Sequence, residues 1–132
     1  MGITQQGIDG EQKLFKWLAN RGVDFFQADA IGIDKDNYAI WEVKNKAEPF
    51  KPPPFYGHGL DIRQVNARLK FQSKTSIRCG FVVFELSKNI ILWQWLDELE
   101  KGEHFDTKNG IRIYPVENFN LEEGGERTTH QP

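Results

Sequence analysis

Cysteine and methionine are each present once in this chain, as Cys79 and the initial Met1. A single cysteine excludes an internal disulfide and fits a reducing compartment. No apolar run approaches the roughly 18 to 20 residues that a bilayer-spanning helix requires. The opening MGITQQGIDGEQ has neither the basic n-region nor the apolar h-region of a secretory leader. The expected location is therefore cytoplasmic. A large charge of one sign is also missing, since the net charge is −2 over 132 residues. Taken as a total, that argues against a nucleic-acid partner. No internal repeat is visible.

The chain is 39% hydrophobic and 13% aromatic, which is enough to build a core at this length. We expect one domain over residues 1–120 and a disordered tail over 121–132, where LEEGGERTTHQP begins. The charge is unevenly spread. Residues 42–88 hold nine basic and four acidic side chains, a net of +5. The remainder holds eight basic and fifteen acidic, a net of −7. Such asymmetry inside one domain predicts a polarised surface, or else a cluster on a solvated face.

The spacing of Leu14, Phe15, Leu18 and Ala19 predicts an amphipathic helix over 9–20, with Asp9 as N-cap. VDFFQADAIGI (23–33) reads as a strand, DKDN (34–37) as a turn, and 38–45 as the strand returning against the first. KAEPFKPPPFYGHG (46–59) reads as a long loop, because three successive prolines exclude helix and central strand. A second helix is expected over 60–74, with Leu60, Val65 and Leu69 inward and Arg63, Arg68, Lys70 and Lys74 outward. CGFVVFEL (79–86) and IILWQWL (90–96) are apolar strands, 97–102 a helical turn, and IRIYPV (111–116) a short edge strand. The order helix, strand, strand, helix, strand, strand predicts an α/β fold with a mixed central sheet flanked by helices.

The segment NYAIWEVKNK (37–46) begins apolar and ends charged. Strand periodicity places Tyr38, Ile40, Glu42 and Lys44 on one face. A Glu and a Lys at a strand end form, by themselves, an ordinary ion pair of about 0–1 kcal/mol. Here a turn at 34–37 folds the preceding strand back and brings Asp29 near Glu42. Two carboxylates on adjacent strands repel unless a cation lies between them. Oxygen ligands suit Mg²⁺ or Mn²⁺, and Mg²⁺ takes one or two carboxylates while keeping waters for a phosphate. A lysine beside such an ion can orient water and offset charge at phosphorus.

Asp29, Glu42-Val43-Lys44 on the next strand and Gly7, Gly10 and Glu11 on the first helix resemble the PD-(D/E)XK nuclease superfamily, over roughly residues 7–96. Within it the chain is most similar to Holliday-junction-resolvase-like and small phage or mobile-element nucleases. The resemblance implies a restriction-endonuclease-like core and divalent-metal-dependent hydrolysis of DNA that leaves a 5′-phosphate. It implies that Asp29, Glu42, the Val43 carbonyl and Glu11 serve the metal. Lys44 would position or activate water, and Gln64, with Arg63 as its competitor, would act from the second helix. Ala28 stands where the motif has proline, and Arg68 stands where the exonuclease-like branches carry a tyrosine four residues after Gln64. Asp34 and Asp36 are alternative motif aspartates, but as turn residues they suit local backbone hydrogen bonds.

Arg63, Arg68, Lys70 and Lys74 are the candidate contacts to backbone phosphates. Phe55 and Tyr56 suit either base stacking or anchoring the loop. His58 suits substrate contact or a bland loop position. Trp93 and Trp95 suit core packing or a dimer interface. The expected function is a structure-selective DNA endonuclease acting on junction or branched DNA, as a homodimer because a junction needs two cuts. A restriction- or repair-type nuclease, a non-catalytic binding module and an RNA substrate are the alternatives.

Overall fold

The computed structural model describes residues 5–51 and 54–123. Its larger sheet has five strands in the order β1-β2-β4-β5-β8. These are β1 (Ala30–Asp34), β2 (Asn37–Lys46), β4 (Arg78–Glu85), β5 (Ile90–Trp95) and β8 (Asn120–Glu123). β2 and β4 run parallel and the other pairs antiparallel, so the sheet is mixed, as expected. A second sheet has the order β3-β7-β6, built from β3 (Gly57–Asp61), β7 (Ile111–Pro115) and β6 (Phe105–Asp106). The helices are α1 (Gln5–Asn20), α2 (Ile62–Thr75) and α3 (Leu96–Lys101). No described helix is long and apolar enough to cross a membrane.

The core occupies one face of the larger sheet. Ile40, Phe81, Val83 and Leu92 meet Val65 of α2, Leu96 and Leu99 of α3, and Leu60 and Tyr114 of the smaller sheet. Cys79 is buried in the same cluster, as its neighbours GFVVF predict. The opposite face carries Trp41, Val43, Val82, Phe84, Ile91, Trp93 and Trp95, all half-buried. The three tryptophans pack on one another, with Trp41 5.0 Å from Trp95 and 6.0 Å from Trp93 between ring centroids. Trp41 lies across Gly80 on β4, where a Cβ would sit 2.2 Å from the indole.

The strand expected at an edge over 111–116 forms at Ile111–Pro115 and lies between β3 and β6, paired on both sides. Four further expectations are corrected. First, the strand expected over 23–33 forms only at Ala30–Asp34, because Phe25 stacks on Phe15 and Phe26 meets Phe71 edge-on. Those rings tie residues 25–26 to α1 and α2 instead of a strand ladder.

Second, the loop over 46–59 contains β3. Gly57 and Gly59 press against β7, where a Cβ would come within 2.2 Å of the Tyr114 carbonyl oxygen and 2.3 Å of that of Arg112. Only glycine permits that approach. Leu60 consequently belongs to β3, and α2 starts at Ile62 with Asp61 as its N-cap. Pro52 and Pro53 lie outside the described residues.

Third, Leu121–Glu123, expected in a disordered tail, pair with β5. The rest of that stretch, 124–132, lies outside the described residues. Fourth, α1 starts at Gln5, ahead of the expected Asp9.

Candidate functional site

β2 runs past the end of β1. The ladder between them closes at Ala30 opposite Trp41, and beyond it the Asp29 side chain takes over. Its Oδ2 accepts from the Val43 N–H at 2.9 Å. The N–H and C=O of one strand residue point to the same side, so the Val43 carbonyl also faces Asp29. Glu42, on the buried face of β2, lines the same cavity as Asp29 and feels its charge. Burial pushes the Glu42 carboxyl up, Arg68 opposes this, and Asp29 adds to the rise. The turn at 34–37 thus brings the two carboxylates together.

Arg68 was placed on an outward basic face by helical spacing, and this is corrected. It is 2% exposed. Its Nη2 donates to Glu42 Oε1 at 2.5 Å and to the Gln27 carbonyl at 3.1 Å, and Nη1 donates to the Gln64 carbonyl at 3.0 Å. Its guanidinium also lies over the Phe26 ring, 4.7 Å from the centroid. The i, i+4 spacing puts Gln64 and Arg68 on one face of α2, and packing against the sheet turns Arg68 toward β2. Among the other basic candidates, Arg63 pairs with Asp61 at 3.2 Å and Lys70 pairs with Asp24. Lys74 is exposed. The outward face is therefore largely neutralised by its own carboxylates.

Two cavities meet at this place. One, of about 480 Å³, is lined by Asp29, Glu42, Gln64 and Arg68, with Phe26 and Gln27 behind them. The other, of about 340 Å³, is lined by Lys44, Lys46, Phe50 and His58. Asp61 and Gln64 line both. The site is thus split into a carboxylate side and a lysine side. Sequence reasoning missed Asp61, although an acidic residue just before a helix start is a recognisable cap. Its Oδ1 accepts from the Arg63 N–H at 2.8 Å.

Glu11 stands outside both cavities, exposed, with Gln27 Nε2 donating to it at 3.4 Å. Among the described residues no group of three or more His, Cys, Asp or Glu could hold a metal ion. The donors that do converge are Asp29, Glu42 and the Val43 carbonyl. That set fits a hard cation that keeps most of its waters. Arg68 meanwhile supplies Glu42 with one positive charge.

No family model matches the chain, and no curated protein matches it. Among solved structures it is similar to Hjc, a Holliday junction resolvase from the archaeal hyperthermophile Archaeoglobus fulgidus. The identity is 16% and the TM-score 0.44, over 79% of this chain and 84% of that one.

Proposed function

We propose that the protein is a divalent-metal-dependent endonuclease that hydrolyses DNA phosphodiester bonds, selective for junction or branched DNA. The observation that carries this reading is the convergence of Asp29 and Glu42 beside the Val43 carbonyl, with Lys44 next on the same face of β2. Hydrolysis joins a water oxygen to phosphorus and breaks P–O3′. O3′ takes up a proton, which leaves a 5′-phosphate and a 3′-hydroxyl.

Asp29, Glu42 and the Val43 carbonyl would hold Mg²⁺ or Mn²⁺, which supplies Lewis acidity to the phosphate. Arg68 fixes the Glu42 carboxylate against α2. Lys44 orients water and offsets charge developing on the phosphate. Gln64, between the two cavities, is placed to contact the substrate phosphate. Lys74 adds backbone-phosphate contacts, as do Arg63 and Lys70 once Asp61 and Asp24 yield. Glu11 acts through Gln27 or through water. A homodimer suits two cuts in one junction, and the half-buried tryptophan face is the surface that supports it.

A second reading, a nucleic-acid-binding module without turnover, is favoured by one observation. Arg68 already occupies Glu42 as a bound cation would.

Cleavage of a labelled panel (four-way junction, fork, flap, single strand, duplex, RNA) with Mg²⁺ or Mn²⁺ tests both. The expected result is paired cuts in the junction that Lys44→Ala loses while still binding it. Cutting confined to flaps, forks or single strands keeps the chemistry and discards junction selectivity, and a discrete site in plain duplex indicates a restriction- or repair-type enzyme. Binding with no metal-dependent cutting of any substrate establishes the module instead.

A further inference from the structure

Five of the described lysines and arginines are not exposed: Lys44, Lys46, Arg68, Arg78 and Arg112. The three arginines each meet a carboxylate. Arg68 takes Glu42, Arg78 takes Asp97, and Arg112 takes Asp106 and Glu100. Lys44 and Lys46 form no ion pair among the described residues. Partial burial of an unpaired ammonium is costly, and two of them, two residues apart on one strand face, repel each other. A site that tolerates this is arranged for an anion.

Lys46 has a carboxylate within structural reach that it does not use. Its cross-strand neighbour on β4 is Glu85. His58 engages one oxygen of that carboxylate, its Nε2 lying 2.7 Å from Glu85 Oε2, both residues being 1% exposed, while Glu85 Oε1 has no hydrogen-bond partner among the described residues and lies 3.9 Å from Lys88 Nζ. The Lys46 ammonium lies instead over the Phe50 ring, 4.6 Å from its centroid. The GHG segment explains how His58 gets there. Its two glycines face β7 closely, and the histidine points the other way, into the space between the sheets. The Nδ1 of His58 has no hydrogen-bond partner among the described residues, and His58 lines the lysine cavity.

We propose that this cavity binds a nucleic-acid phosphate neighbouring the one being hydrolysed, with Lys46 as its principal contact. The His58–Glu85 pair is the positioning element that draws Glu85 Oε2 to His58 and away from Lys46. The nucleic-acid identity of the ligand rests on the nuclease reading, whereas the anion pocket does not. Asp61 is the acidic group on the cavity wall, and its carboxylate is committed to Arg63. The charged and titratable groups around His58 are Glu85 on β4, Lys44 and Lys46 on β2, Asp61 on its own strand and Tyr114 across β7. Lys88 lies beyond Glu85 at 3.9 Å. Burial holds the His58 pKa down, Glu85 opposes this, and the charge of Lys46 lowers it further. An anion bound at Lys46 offsets that last effect, so His58 reports on occupancy.

Two measurements on the full chain test the proposal. The first is binding of a labelled DNA duplex in Ca²⁺ across a salt series. Lys46→Ala is expected to weaken it by about fivefold to tenfold and to lower the slope of log K against log salt by about 0.9, with Lys46→Arg restoring both. The second is NMR titration of the His58 ring with inorganic phosphate as probe. Phosphate is expected to raise the His58 pKa in the wild type and not in Lys46→Ala. An unchanged slope together with a phosphate-insensitive His58 overturns the pocket, and active cleavage alongside that result leaves the nuclease reading standing. A wild type that neither binds nor cuts DNA, but whose His58 responds to phosphate through Lys46, keeps the pocket and removes the nuclease reading.

Discussion

Arg68 of α2 donates to Glu42 of β2 at 2.5 Å, inside the wall of the carboxylate cavity. The pair ties the strand that carries the candidate chemistry to the helix that covers it. Removing the arginine alone strands a buried carboxylate, which typically costs about 3–5 kcal/mol. Arg68→Met is therefore expected to lower unfolding free energy by roughly that amount in urea titrations. The double variant Arg68→Met/Glu42→Gln should recover much of the loss. A single variant as stable as the wild type would show that Glu42 finds another partner.

His58 is held neutral by burial, with its folded pKa below the ordinary imidazole value of about 6.5. Below that pH the unfolded chain takes up a proton that the folded chain refuses. The unfolded state then binds more protons, so stability rises with pH in this window and is lost as pH falls through it. The limiting slope is about 1.4 kcal/mol per pH unit for one group. Unfolding measured between pH 7.5 and 5 should show this loss, and His58→Gln should flatten it. Identical pH profiles for the two proteins would contradict it.

Trp41 leaves no room for a side chain at Gly80. Gly80→Ala is expected to cost about 1–3 kcal/mol through overpacking. It should also change the near-ultraviolet circular dichroism, because Trp41, Trp93 and Trp95 move together. An unaltered spectrum would mean that the indole is not seated on β4.

Cys79 is buried, with its thiol pKa pushed up to about 11, chiefly by desolvation. Its Sγ donates to the Arg68 carbonyl oxygen at 3.7 Å. The native protein is expected to resist thiol reagents at pH 8 and to react in denaturant. Fast native labelling would place Cys79 at the surface.

Trp93 of β5 belongs to the half-buried sheet face and packs on Trp41 and Trp95. If that face joins two copies, sedimentation should give about twice the 15.3 kDa of one chain. Trp93→Glu should then give the single-chain mass without unfolding. A wild type that stays at 15.3 kDa at high concentration rules out the homodimer.

The alternation in NYAIWEVKNK, the turn at 34–37 and the burial of Cys79 were legible in the sequence, because each depends on neighbours a few residues away. The convergence of Asp29 with Glu42 followed from the same local logic, since one tight turn sets the register of two adjacent strands. The partner of Arg68 was not legible. Helical spacing puts Arg68 on the same face as Gln64, but which α2 face meets β2 is settled by the packing of Val65 and Leu69 against a distant sheet. β3 was hidden for a related reason. GHG has little strand propensity, and its glycines make sense only against Arg112 and Tyr114, more than fifty residues away. β8 is likewise held by a partner strand remote in sequence. The sequence by itself determined the charged strand end and its nearest carboxylate. Tertiary structure decided which cations are spent on carboxylates and which two lysines remain for an anion, because ion pairing over such separations depends on how the layers pack.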